Sequence, residues 1–259
     1  MSFPSPLNGW RAPEEFGRVR VPALRHTLPS AVLCDLPRTL RLAHVEGDDV
    51  LNQQGVGSCT AESVGSACLA LAGRHGYPVE LPSIRDLYAR GRMRIGELAR
   101  DSGCIIADVV EEAALGWIAE AQDPRPSAVF DEAWARLPGP RGFKPPRLIN
   151  HAALAHDPTS IRWELACGSQ IVVGCTLTEQ WEFPTGAIDA PTGEGVGGHA
   201  FRIVGYDVMQ DGTVYYFARN SWGVEWGNMM GEAVIHEDWL KLPWNGEIHA
   251  LRGIRRLPA

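Results

Sequence analysis

From Cys59 the apolar positions Ala61, Val64, Cys68, Leu71 and Ala72 recur at helical spacing, and Gly73 then punctuates them. The pattern predicts a helix with Cys59 in its first turn. Pro82 to Arg90 reads as a second helix with Ser83 near its start, and Ile106 to about Ala119 as a third, with Val109, Val110, Ala113 and Ile118 on one face. Phe130, Ala133, Trp134 and Leu137 suggest a short fourth. Between Pro138 and Pro146, four prolines and two glycines exclude both helix and central strand, which marks a crossing between two lobes.

Beyond that crossing Asp157 and Pro158 form an N-cap and first-turn pair for a helix ending at Gly168. The pattern then changes period. Gln170 to Thr176 is a β-branched run typical of a buried strand, and strands are also expected over 199–206, 213–218 and 231–236, with Asp211-Gly212 as a hairpin turn. Helices thus dominate about 50–137 and strands about 147–259. The expected class is α+β in two lobes, following an N-terminal extension over 1–27 and forming one domain over 28–259. No internal repeat is visible.

Composition narrows the function classes. The 259 residues are 45% hydrophobic and 21% charged, as in ordinary globular chains, with a net charge of −7 and no basic run, which argues against nucleic acid as the main partner. Of 24 basic residues only Lys144 and Lys241 are lysine, a bias from which no function is drawn. No apolar run approaches the roughly 18 residues of a membrane span, and the N-terminus lacks a charged start followed by an apolar stretch, so no secretory signal is expected.

Two other patterns carry little. Gly193-Glu194-Gly195-Val196-Gly197-Gly198 matches a dinucleotide fingerprint, but a strand follows where that motif needs a helix. His151 and His156 lack an acidic partner in register and read as surface residues, and the six cysteines show no metal-ligand spacing, so neither cofactor nor metal is expected.

Candidate chemistry gathers around Cys59. A cysteine at a helix N-terminus meets unpaired N–H groups and the positive end of the dipole, which favour thiolate. Gln53-Gln54-Gly55-Val56-Gly57-Ser58-Cys59 precedes it, Gly197-Gly198-His199-Ala200 lies downstream, and Asn220-Ser221-Trp222-Gly223 follows. This order of Gln, Cys, His and Asn, with "GSC", "GHA" and "NSWG", resembles the papain-like cysteine peptidases; His199 lies 140 positions after Cys59, within the family's range, and Asn220 slightly beyond it.

The resemblance implies a helical lobe and a β-barrel-like lobe with the site in the cleft between them. It implies Cys59 as nucleophile, His199 as base, Asn220 as the residue orienting the imidazole, Gln53 as oxyanion-hole donor and Trp222 as the shield of the His–Asn bond. The alternative for Trp222 and Trp226 is plain core. Gly103 and Gly198 would line the substrate cleft. Asn8-Gly9-Trp10 and Pro13-Glu14-Glu15 resemble the N-terminal strap of bacterial members without a separate pro-domain, and Leu28 to Val32 the start of the mature enzyme.

There are departures from the family pattern. Val56 replaces a cysteine used in a disulfide by secreted relatives, so the cysteines are expected reduced and the location cytoplasmic, or reached by a route without a signal peptide. Thr60 stands where an aromatic usually follows the nucleophile, and Gly198 where plant enzymes have aspartate. The expected substrate is a peptide or protein. A more specific form is a bacterial effector cleaving one protein, with an inhibitor or immunity protein in the producer. The alternatives are a papain-fold acyl- or amide-transferase and a catalytically silent binding module.

Overall fold

The computed structural model describes residues 9–18, 23–26, 35–78, 80–140, 146–241 and 244–255. Helix α1 runs Cys59–Arg74 and is buried on all sides from Cys59 to Ala72. Gly73 does not end it. A side chain there would collide with Val45, so that glycine allows a close approach within the helix. Helix α2, Ile84–Arg94, starts on Ser83, whose hydroxyl accepts from Asp86 N–H. Helix α3, Ile106–Leu115, stops short of the expected Ala119 because Gly116 turns the chain at φ 109°.

The short helix expected near Phe130–Leu137 is a turn. Asp131 Oδ1 accepts from both Ala133 and Trp134 N–H, and this local bonding competes with a helix. Trp134 is nevertheless buried, edge-on to Tyr88. Of the proline-rich crossing, residues 141–145 lie outside the described residues, and strand β2 begins directly after it.

The strands are β1 Thr39–Arg41, β2 Arg147–Ala153, β3 Gln170–Leu177, β4 Gly197–Val208, β5 Val214–Arg219, β6 Glu232–His236 and β7 Asn245–Arg255. They form one open antiparallel sheet in the order β2-β7-β3-β4-β5-β6, with β1 pairing the far end of β4. The stretch 193–198 leads into β4, with no helix after its glycines. Helix α4, Pro158–Ala166, is capped by Asp157, which accepts from Ser160 N–H.

Alternate positions along the strands face opposite ways, and both faces are covered. Val172 and Ala200 join the core with α1, α2 and α3, whereas Val173 and Phe201 join a second core with α4, Trp181 and Trp239. This two-sided burial explains the unbroken apolar run of β3. The described part of the N-terminal segment packs on this body. Leu24 exchanges backbone bonds with Ala153 and Ala155, and His26 Nε2 lies 2.6 Å from Glu164 Oε1. His151 lies in β2 and is half-buried.

Candidate active site

Three elements deliver the candidate residues to one place. Cys59 is the first residue of α1, His199 the third of β4, and Asn220 follows the last residue of β5. Pairing of β4 with β5 brings the last two together, and Ala200 N–H donates to Cys59 Sγ at 3.3 Å, seating α1 against the residue after the histidine.

Asn220 Oδ1 is 2.6 Å from His199 Nε2 and also accepts from Ser221 N–H at 2.7 Å. A backbone N–H can only donate, so that side-chain atom is the amide oxygen, and Nε2 must carry the imidazole proton. The lone pair then falls on Nδ1, which is buried with no hydrogen-bond partner. The geometry therefore selects the tautomer able to take a thiol proton. Trp222 lies against the imidazole, ring centroids 4.5 Å apart, with Trp226 edge-on behind it.

Gln53 and Gln54 separate cleanly. Gln53 is 3% exposed, while Gln54 is exposed and takes the left-handed φ of 52° that turns its side chain outward. Gln53 is held from three directions: its N–H donates to Ser221 O, its Oε1 accepts from Ser221 Oγ at 2.8 Å, and its Nε2 donates to Val56 O at 2.9 Å. Ser221 thus joins the glutamine loop to Asn220. Its place inside "NSWG" is the signal of this linking role in the sequence. Gly103, at φ 75°, is buried and donates its N–H to the Tyr88 hydroxyl; Gly198 lies in β4. Val56 is buried, and Cys59, Cys68, Cys104, Cys167 and Cys175 are free thiols. Cys34 lies outside the described residues.

Residues 148–236 match the papain family of cysteine proteases. In fold alone, the likeness reaches nearly the whole chain. Xylellain, a cysteine protease from Xylella fastidiosa, superposes with a TM-score of 0.75 over 96% of this chain and 97% of its own, at 21% identity. The fold is papain-like. Procathepsin B S9 from Trypanosoma congolense shows the same fold at a TM-score of 0.71 and 17% identity, over 98% of this chain and 87% of that one. Cathepsin B-like cysteine proteinase 4 of Caenorhabditis elegans is 33% identical over 76 residues, which is 29% of this chain and 22% of that protein. The curated relatives are matched over about a tenth to a third of their length.

In this papain-like fold the site is covered. Gly9 lies directly over Cys59: a side chain on it would run into Cys59 Sγ and come within 2.8 Å of Gly57 O. Trp10 follows, 5% exposed, and its indole packs where Gly174, Gly198 and Gly246 leave room for it. Its Nε1–H donates to Glu247 Oε2 at 2.9 Å. Backbone bonds from Cys104 N–H to Gly9 O and from Arg11 N–H to Cys104 O hold the segment down, and Arg18 clamps Asp108 through two bonds of 2.6 and 2.7 Å. Gly198 is thus a contact surface for Trp10.

The cover overturns one expectation. Cys59 and His199 are both wholly buried. Burial pushes the Cys59 thiol well above its ordinary range despite the Ala200 N–H, and lowers His199 to about 4 despite the Asn220 bond. The favoured pair is therefore neutral thiol and neutral imidazole, because desolvation outweighs the helix N-terminus while the cleft is filled. For Glu247 the balance goes the other way. Burial raises its carboxyl, but bonds from His249, Trp10 and Ile106 N–H together hold it below the usual range.

Among the described residues no group of three or more His, Cys, Asp or Glu could hold a metal ion, and no helix is long and apolar enough to cross a membrane.

Proposed function

We propose that this chain is a cysteine peptidase acting through Cys59, His199 and Asn220, held closed by its own Gly9–Trp10 segment. The observation that carries the reading is the Asn220-bound His199, whose tautomer leaves Nδ1 as an acceptor, one residue before the Ala200 N–H that donates to the helix-terminal Cys59. Once the cover lifts, water re-enters and the charged pair ceases to be penalised. The thiol proton then passes to Nδ1, and the thiolate gains the α1 N-terminus.

In this reading Cys59 attacks a peptide carbonyl, and the oxyanion is held by Cys59 N–H and the Gln53 side-chain amide. Imidazolium protonates the leaving amine. Water then hydrolyses the thioester, with the same nitrogen as base, while Asn220 keeps the ring in register. Substrate would be a peptide or protein segment laid where Gly9 and Trp10 now lie. The more specific form, an effector aimed at one protein and restrained by an inhibitor or immunity protein, gains a rival from the cover, which restrains the site within the chain.

The test incubates the chain, after the cover has been displaced by truncation or substitution, with a denatured proteome and reads the new N-termini. A Cys59→Ala chain is the control. Cleavage lost in Cys59→Ala supports the reading; cleavage that persists in it, or none from the uncovered enzyme, overturns it. Added glycine amide, captured in place of water, would report the transferase instead.

A further inference from the structure

Behind the triad lies a feature that the chemistry above does not use. Glu62 sits one turn after Cys59 on α1 and is only 1% exposed. Its Oε1 accepts from Ser58 Oγ at 3.2 Å and from Arg125 Nη1 at 2.9 Å, whereas its Oε2 is buried without a hydrogen-bond partner. Asn220 has the complementary deficit. Its oxygen is fully engaged, and its Nδ2 is buried without a partner.

Both residues line the same small pocket, whose volume is about 10 Å³ and whose wall also carries Ser63, Ser66 and Ser221. That is the room one water needs, and a buried water needs two to four polar partners. An orphan acceptor and an orphan donor therefore belong to two residues that line one water-sized pocket.

We propose that the pocket holds a single structural water that accepts from Asn220 Nδ2 and donates to Glu62 Oε2, making Glu62 a positioning residue for the triad. The bridge holds the amide by its nitrogen end while His199 and Ser221 hold the oxygen end, so reversal of the amide would break all three bonds. Arg125 completes the arrangement. It pairs with Glu62 and Glu120, and its Nη1 also reaches Asn52 O, next to Gln53. The charged groups facing Glu62 are Arg125 and Glu120 on that side, with Asp49 and Arg219 across the pocket. The burial that raises the Glu62 carboxyl to about 7 is consistent with a carboxyl in need of a further hydrogen bond.

The proposal rests on the peptidase reading for its kinetic consequence and on the pocket alone for its structural one. A crystal structure of the Cys59→Ala chain at a resolution that shows ordered water therefore tests it without activity. Density within hydrogen-bond distance of both Glu62 Oε2 and Asn220 Nδ2 supports it; a dry pocket, or Oδ1 turned towards Glu62, overturns it. With an uncovered active enzyme, Glu62→Met should lower kcat by about 2- to 10-fold, the worth of one hydrogen bond, with KM little changed. The upper limb of its pH–rate profile should move to lower pH, because an amide free to reverse no longer favours imidazolium. Glu62→Gln, which keeps an acceptor and also reports on folding, should restore both. A Met variant with an unmoved upper limb would overturn the positioning role, whereas retained activity in Cys59→Ala would instead overturn the peptidase reading.

Discussion

Replacing Gly9 by alanine should release the site. The added Cβ would meet Cys59 Sγ and Gly57 O inside 3.0 Å. Neither neighbour can retreat: the sulfur is fixed at the start of a helix buried all round, and the oxygen belongs to the backbone. Overpacking of this kind costs about 1–3 kcal/mol. Because the strain exists only with the segment docked, it falls on the covered state, and the open fraction should rise by about 5- to 150-fold at about 1.4 kcal/mol per tenfold. Docking itself is not weak. Burial of an indole is worth several kcal/mol, and its bond to a carboxylate adds about 1.5–3. Gly9→Ala should therefore loosen the cover and leave the fold intact. The assay is the second-order rate of Cys59 alkylation by a small haloacetamide, read by peptide mapping, alongside the initial rate on a cleavable peptide and a thermal melt. Both rates should rise together, while the melting temperature falls by only about 2–12 °C, as a loss of about 1–3 kcal/mol implies for a chain of this size. An unchanged or slower alkylation of Cys59 would refute the reasoning, since it would mean the segment adapts without leaving.

In the unaltered chain, brief alkylation should mark Cys167, the exposed thiol among the five described, ahead of Cys59, and mapping that finds Cys59 first would show the cleft to be open in solution. In an uncovered enzyme, Gln53→Ala should lower kcat by roughly 10²–10³ with little change in KM, whereas the outward-facing Gln54→Ala should be near silent in the same kinetics. Glu62 should give stability a pH dependence. Its folded pKa of about 7 exceeds the unfolded 4.5, so the folded state binds more protons between these values and stability should fall as pH rises through that window. Melting curves of Glu62→Gln should lose this slope, and an identical slope in both chains would contradict it.

The order of motifs along the chain determined the candidate residues, and the local patterns determined most of the elements that carry them. Ser83 and Asp157 announced their helices because a cap is a local bond, made within three residues. β3 was equally legible, since burial on both faces leaves an unbroken apolar run. Strands β1, β2 and β7 were not. Arg147–Ala153 carries Asn150 and His151 without alternation, and it becomes a strand only because it pairs with β7. The Asp131 turn was mistaken for a helix because apolar spacing cannot report that a side chain bonds backbone two residues on.

At the site, sequence placed a cysteine at a helix start and a histidine in a strand, but their protonation was decided by tertiary structure. A helix N-terminus is a local field and favours thiolate; burial is a property of everything packed around the sulfur, and here it includes Gly9, 50 positions earlier in the chain. The pairing of Glu62 Oε2 with Asn220 Nδ2 is likewise invisible along the chain, for it exists only where α1 and the end of β5 face one pocket. Residue identity fixed what the groups can do, and the distances between chain-distant segments fixed which of those things they do.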